Sequence, residues 1–166
     1  PGLQGGPLMH VIGAKAVAFG EALQPSFRSY AARVVENAQA LAKTLAADGL
    51  PIVTGGTDTH LLVADLRPFK LTGNVAEKAL ERVGITLNKN AIPNDPEKPM
   101  VTSGIRVGSP SGTSRGFSTA EFRAIGSMIM CMLQAVSENP AHPNELVLQT
   151  AMDQVESLCQ RFPLPY

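Results

Sequence analysis

The spacing of apolar residues in this 166-residue chain is purely helical up to about Leu50 and becomes mixed after it, and that change constrains the fold class. Before Leu50, apolar residues recur every three to four positions in two segments, which predicts two amphipathic helices. Their apolar positions are Leu8, Val11, Ile12, Ala16, Phe19 and Leu23, then Phe27, Tyr30, Ala31, Val34, Ala38, Leu41, Ala42 and Leu45. We expect both helices to face a core and to carry no chemistry, and Gly49 to end the second one.

Beyond Leu50, short apolar runs typical of strands alternate with helical patterns. Strands are predicted over residues 51–53, 60–65, 85–87 and 101–110. Helices are predicted over residues 75–83, after a capping box at Ser118–Glu121, and over residues 148–162. This alternation indicates an α/β layer rather than a bundle, so we expect a small sheet with helices packed on one side.

The charge balance argues against several partners. Fourteen basic residues match fourteen acidic ones, Trp is absent, and no basic stripe with interleaved aromatic residues occurs, which disfavours nucleic acid. No apolar run approaches the length of a membrane span. Cys131 and Cys159 fall within apolar helical patterns and are predicted to be buried free thiols of a reducing, cytoplasmic compartment. Met128, Met130 and Met132 are predicted to fill the core.

The segment Val101–Pro110 contains one cation, Arg106, between Ile105 and Val107. Because strand side chains alternate between two faces, Arg106 is expected to point away from the packed face. A guanidinium facing a cavity would bind a carboxylate through two parallel hydrogen bonds. The alternative is an edge-strand arginine that reaches solvent, and the residue type alone favours that alternative.

Two loops have the composition of ligand-binding loops. The glycine-rich start, residues 1–7, precedes a helix, and its backbone N–H groups suit an anion such as phosphate, although Gly-Gly-Pro more often reflects simple turn chemistry. Residues 88–100 are rich in Asn and Pro, and this loop is either a ligand-lining loop or an ordinary surface connection.

No acid–base or nucleophilic centre is apparent. The histidines, His10, His60 and His142, lack metal-ligand spacing, and we expect no metal site. No Gly-x-Ser-x-Gly elbow is present, and neither cysteine has the setting of a nucleophile. The residues therefore favour binding over proton transfer.

Three stretches match one known family in order. They are Pro1-Gly-Leu-Gln-Gly-Gly-Pro-Leu-Met-His10, Gly55-Gly-Thr-Asp-Thr-His60, and Asn88-Lys-Asn-Ala-Ile-Pro-Asn-Asp95 followed by Thr102-Ser-Gly-Ile-Arg-Val-Gly108. With them, the chain resembles the C-terminal part of serine hydroxymethyltransferase, a pyridoxal-phosphate enzyme of the aspartate aminotransferase fold type (fold type I). The resemblance covers nearly the whole chain and loosens after about Gly116.

The resemblance implies a role for several residues. Arg106 matches the arginine that binds the α-carboxylate of serine or glycine, and Arg115 matches a supporting arginine behind it. Gly5 and Gly6 match the loop that reaches the phosphate of pyridoxal 5'-phosphate in the neighbouring subunit of a homodimer, which could further assemble into a tetramer. The tetrahydrofolate site of the family matches Asn90, Lys98, Pro99 and Met100.

The resemblance also implies what the chain lacks. The family's Schiff-base lysine lies in a Thr-His-Lys-Thr motif upstream of the glycine loop, and Lys89 does not match it. We expect a fragment of a longer chain that is inactive alone, because the imine is needed to hold and use the cofactor. Residues 1–24 would end the large-domain or interface segment, and residues 25–166 would form the connecting helix and the C-terminal small domain.

Two alternatives remain open. One is another fold type I enzyme, an aminotransferase or a lyase, since a carboxylate-binding arginine is common among them. The other is a non-catalytic dimerisation module derived from such an enzyme. The loop at residues 88–100 favours the folate enzyme, which converts serine and tetrahydrofolate to glycine and 5,10-methylenetetrahydrofolate.

Overall fold

The computed structural model of the chain describes residues 2–3, 5–140 and 142–164. By its internal contacts the chain divides into two compact units, Pro1–Ala32 and Arg33–Tyr166. Across the described residues the fold is mixed α/β, with six α-helices and one three-stranded antiparallel sheet. The predicted division at residues 24 and 25 into a large-domain segment and a small domain stays a prediction.

The first unit contains helix α1, Met9–Ala22, and the start of helix α2, Pro25–Ala47. None of the α1 residues, all of which the structure describes, is buried. The prediction that α1 faces a core of this chain is therefore wrong. Apolar residues occur on every side of α1, including Val17 and Phe19, both more than 60% exposed. The apolar spacing of α1 therefore does not identify what the helix packs against.

In the second unit, the later part of α2 packs as predicted, with Val34, Ala38, Leu41, Ala42 and Leu45 buried. The helix ends where expected, because Gly49 adopts a left-handed conformation (φ 94°) that favours glycine. The N–H of Leu50 then donates to the carbonyl of Leu45 at 2.9 Å, which satisfies one of the last carbonyls of the helix.

The sheet consists of β1 (Leu61–Asp65), β2 (Asn88–Asn90) and β3 (Gly104–Gly108), in the order β1-β3-β2 with both pairs antiparallel. Two of the predicted strands differ from those in the structure. Residues 51–53 contribute only an isolated bridge between Ile52 and Ala64, and the run predicted at 85–87 pairs three residues later as β2. Residues 101–103 precede β3 because Thr102 has a left-handed backbone (φ 60°), which breaks the ladder.

The remaining helices are α3 (Gly73–Arg82), α4 (Pro110–Ser114), α5 (Thr119–Glu138) and α6 (Glu145–Arg161), with a 3-10 turn at Arg67–Phe69. Helix α5 begins with the predicted capping box of Ser118 and Glu121. Its three methionines are buried, which confirms the core prediction. Cys131 and Cys159 are free but exposed, so the prediction of burial is wrong: both lie beside the buried stripes of their helices.

One face of the sheet completes the hydrophobic core with the helices. Leu62, Ala64, Ile105 and Val107 point into it, and each is less than 10% exposed. Residues at alternate positions therefore lie on the opposite face. No described helix is long and apolar enough to cross a membrane.

Candidate functional site

Arg106 lies at the centre of the sheet face opposite the core. Its strand β3 is the middle strand, and the Arg106 position pairs with Val63 of β1 and Asn88 of β2. The side chain is exposed, whereas Ile105 and Val107 on either side are buried. The prediction that Arg106 points away from the packed face is confirmed. The alternative was wrong about the edge position, because β3 has a partner on both sides, although the side chain does reach solvent.

The Arg106 guanidinium has a neutral partner. Its Nη2 donates to Oδ1 of Asn88 at 3.2 Å, directly across the β2–β3 pair. No salt bridge joins a carboxylate to Arg106 within the part of the chain that the structure describes. The arginine has five N–H donors and this bond uses one, so the planar fork is oriented yet keeps its charge and donors for an anion.

The acid on the same sheet face is already paired. Asp65 of β1 accepts from Arg67 Nε at 3.1 Å and from Arg67 Nη2 at 2.7 Å. These hydrogen bonds from Arg67 lower the pKa of Asp65 below its ordinary value, although partial burial opposes the shift. Asp65 therefore stays ionised at neutral pH with Arg67 as its partner and leaves Arg106 unneutralised.

Asn90 lies on the same face as Asn88 and Arg106. Asn90 is two residues after Asn88 in β2, and alternate residues of a strand share a face. It pairs with Gly104 of β3. Its Nδ2 donates to the carbonyl of Ala91 at 2.7 Å. Arg106, Asn88 and Asn90 thus lie on one face of the sheet, and strand pairing brings the arginine beside a segment that is distant in sequence.

The other predicted folate residues lie on the loop that returns from β2 to β3. Lys98, Pro99 and Met100 are exposed, and Met100 is 77% exposed. The carbonyl of Lys98 accepts from the N–H groups of Val101 and Thr102 at 2.8 and 3.0 Å, which closes a turn there. This turn presents the three side chains to solvent.

Arg115 has a different setting. Its Nε donates to the carbonyl of Phe162 at 2.7 Å and its Nη2 to the carbonyl of Cys159 at 3.2 Å, both at the C-terminal end of α6. These carbonyls lack helical partners and carry partial negative charge, which suits a cation. The structure thus gives Arg115 a stabilising contact with α6, and the supporting role behind Arg106 stays a prediction.

Gly5 and Gly6 belong to the first unit. Both are exposed, and a Cβ on either would have nothing within 4 Å in the described part of the chain. Pro1 and Gln4 of the same glycine-rich motif lie outside the described residues. The predicted contact with a cofactor phosphate stays a prediction.

The third motif, residues 55–60, adjoins the end of β3. His60 directly precedes β1, and its carbonyl accepts from the N–H of Ser109, which follows β3, at 2.9 Å. Among the described residues, no group of three or more His, Cys, Asp and Glu side chains could hold a metal ion.

Sequence reasoning missed two residues, Asn88 and Asp95. The contact between Asn88 and Arg106 depends on the strand register, which the sequence does not encode locally. Asp95 does have a local signal, because an aspartate in a turn often accepts from the N–H two residues ahead, as it does here from Glu97 at 2.9 Å. Asp95 also accepts from the N–H of Ile92, three residues before it, and from Ser103, eight residues after it.

Comparison with known proteins identifies relatives. The family described as "Serine hydroxymethyltransferase" matches residues 1–129. Serine hydroxymethyltransferase 1 of Rhodospirillum rubrum is 63% identical over all 166 residues, and serine hydroxymethyltransferase 2 of Rhodopseudomonas palustris is also 63% identical over 166 residues. The serine hydroxymethyltransferase of Rhizorhabdus wittichii is 58% identical over 164 residues, 99% of the chain. The chain spans about 38% of the length of the first two relatives and 37% of the third.

Proposed function

The chain belongs to the serine hydroxymethyltransferase family, and we propose that it forms the C-terminal part of an enzyme that converts serine and tetrahydrofolate to glycine and 5,10-methylenetetrahydrofolate. The activity would serve one-carbon metabolism and glycine biosynthesis in the cytoplasm. The observation that carries this proposal is Arg106, an exposed arginine on a central strand whose described contacts include no carboxylate.

Arg106 would bind the α-carboxylate of serine or glycine. Two N–H groups of a guanidinium match two carboxylate oxygens, so the contact fixes the orientation of the amino acid as well as its position. Strand pairing on both sides holds the backbone of Arg106, which limits how far its guanidinium can move. Asn88 would restrain the guanidinium plane without competing for the charge.

Tetrahydrofolate would bind beside Arg106, along Asn90 and the exposed turn of Lys98, Pro99 and Met100. Asn90 offers an amide that can donate and accept, as the edge of a pterin ring requires. Lys98 supplies a positive charge and Met100 an adaptable apolar surface. The sheet face supports this arrangement because Asn90 and Arg106 project from neighbouring strands on the same side.

The family uses pyridoxal 5'-phosphate, and the residues of this chain do not fit that cofactor unaided. Gly5 and Gly6 lie open, and no described buried side-chain polar atom lacks a partner that a cofactor would supply. The sequence has no Thr-His-Lys-Thr motif. We infer that most cofactor contacts come from residues beyond these 166, with Gly5 and Gly6 contributing backbone N–H groups to the phosphate of a partner subunit.

A homodimer of fold type I is the assembly that this proposal requires. The exposed apolar side chains of α1 support it, since an extended apolar surface is normally covered by protein.

Activity of the full-length protein tests the proposal. We expect tetrahydrofolate-dependent cleavage of serine with formation of glycine. Transamination, or cleavage independent of folate, would instead favour another enzyme of the same fold type.

The isolated 166-residue chain provides a second test. On addition of pyridoxal 5'-phosphate we expect no visible absorbance beyond that of free cofactor and no turnover of serine. A stable yellow complex of the purified chain would contradict the assignment of the cofactor contacts to residues outside it.

A further inference from the structure

The loop between β2 and β3, residues 91–103, is ordered around one carboxylate. Pro93, Pro96 and Pro99 cannot donate to a strand ladder, so the loop needs other hydrogen bonds to hold a shape. Asp95 supplies the acceptors. Its Oδ1 accepts from Glu97 N at 2.9 Å and from Ser103 Oγ at 2.7 Å.

The second oxygen of Asp95 is equally occupied. Oδ2 accepts from Ile92 N at 3.1 Å and from Ser103 N at 2.9 Å. A carboxylate has about four lone-pair positions, and four donors now fill them. Asp95 therefore has no acceptor position left for a ligand, and anything it does for binding it does through the loop.

Two further contacts fix where the loop lies. The N–H groups of Gly73 and Asn74, at the start of α3, donate to the carbonyls of Thr102 and Val101 at 2.8 and 3.0 Å. The buried side chain of Ile92 packs over Gly104, where a Cβ would lie 2.7 Å from Ile92 Cγ2. These contacts anchor both ends of the loop on the sheet edge, and Asp95 joins the two ends.

We propose that Asp95 is a positioning residue for tetrahydrofolate, which holds the loop that carries Lys98, Pro99 and Met100 in its binding shape before the ligand arrives. This inference rests on the proposed function. A loop ordered in advance loses less conformational freedom on binding, and that saving raises affinity. The loop should affect the binding of folate and not of serine, because Arg106, the residue proposed to bind serine, is held by the pairing of β3 with β1 and β2.

Electrostatics agree with the geometry. Partial burial would raise the pKa of Asp95, but hydrogen bonds from Ser103, Glu97 and Ile92 outweigh it and hold the pKa far below its ordinary value. The carboxylate is thus ionised over the whole working pH range, and each of its hydrogen bonds is charge-assisted.

The test is Asp95→Asn in the full-length enzyme, with the KM for tetrahydrofolate and for serine measured separately. Asparagine keeps one acceptor oxygen and turns an NH₂ group toward two donors, so we expect the folate KM to rise about tenfold. The serine KM and the kcat at saturating folate should stay within about twofold of wild type. Asp48→Asn, at an exposed carboxylate after α2, is the matched control and should change neither KM.

Ser103→Ala covers the case in which Asp95→Asn does not fold. It removes the Oγ–Oδ1 bond and leaves Ser103 N on Oδ2, so the folate KM should rise about threefold at unchanged serine KM. A joint rise of both KM values, or no rise in either variant that folds, would overturn the inference. Absence of folate-dependent serine cleavage in the wild-type enzyme would instead overturn the proposed function.

Discussion

The two faces of the small sheet differ in what they contribute, although they share the same three strands. On the helix side, Ile105 and Val107 are buried in the core. On the other side, Arg106 and Asn88 are exposed and hydrogen-bonded to each other. Because strand side chains alternate, a step of one residue moves from a position that stabilises the fold to one that can bind a ligand. Stability and binding should therefore be separable by substitutions at neighbouring positions.

The largest expected effect follows Arg106→Ala in the full-length enzyme. A desolvated charge pair that loses one partner costs about 3–5 kcal/mol, so the serine KM should rise by roughly a hundredfold or more. The unfolding free energy should change by less than about 0.5 kcal/mol, since the side chain is exposed. Steady-state kinetics and denaturant unfolding measure the two quantities.

Arg106→Lys is the matched control. Lysine keeps the charge but not the planar fork, so most of the loss in serine affinity should remain. Near-normal serine kinetics in Arg106→Ala would remove the assignment of this sheet face to substrate binding.

Ile105→Ala should give the converse result. Ile105 is fully buried at the centre of the core, and deletion of such a side chain costs about 3 kcal/mol, part of it from the cavity that remains. Urea unfolding should show this loss, whereas the serine KM of the folded enzyme should stay within about twofold. Ile105→Val, which removes one methylene, should cost only about 1 kcal/mol. A large rise in serine KM for Ile105→Val would mean that the two faces are coupled.

The alternation at Ile105-Arg106-Val107 made this part of the site predictable from sequence, because a period of two is a property of the strand itself. The central position of β3 was not predictable, since strand order depends on pairing between residues that are far apart in the sequence, from Asn90 with Gly104 to Leu61 with Gly108. The Asn88 contact was missed for the same reason. Family resemblance identified Arg106 as a candidate, but only strand pairing shows what surrounds it.

Helix α1 marks a second limit of sequence reasoning. Its apolar spacing resembles that of α2, yet α2 has seven buried residues and α1, described throughout, has none. Apolar spacing predicts that a surface will be covered and leaves open which protein covers it. The predicted burial of Cys131 and Cys159 was wrong for a related reason. A cysteine beside the buried stripe of a helix lies in the same apolar segment as one within the stripe.

Asn88→Asp on the exposed face should have an effect of intermediate size on the serine KM. A carboxylate at this position would pair with Arg106 across the strands and compete with the carboxylate of serine. We expect the serine KM to rise about tenfold, and by only about threefold in Asn88→Ala, which removes the restraint without adding a competitor. The difference between the two variants in the KM for serine is the measurement. Equal effects would show that Asn88 does not orient the guanidinium.

The smallest expected effect, on stability, concerns the contact of Lys89 with Glu77. Lys89 lies between Asn88 and Asn90 in β2, and its side chain faces the helices. Its Nζ lies 3.0 Å from Glu77 Oε2 of α3, and its backbone N–H donates to Glu77 Oε1 at 3.0 Å. These hydrogen bonds, first that from the Lys89 backbone, lower the pKa of Glu77 despite partial burial. Glu77→Gln should therefore reduce the unfolding free energy by about 0.5–1 kcal/mol at pH 7.

The pH dependence of the Glu77→Gln effect has a defined sign. Because the pKa of Glu77 is lowered on folding, its contribution is complete above the ordinary value of 4.5 and is lost as the pH falls below it. The stability difference between wild type and Glu77→Gln should thus shrink as the pH falls below 4.5. Neither KM should change at pH 7. A rise in the serine KM would show that a charged pair on the helix side of the sheet also affects binding. With an unchanged serine KM, the pair of Glu77 and Lys89 contributes to stability alone, as Ile105 does.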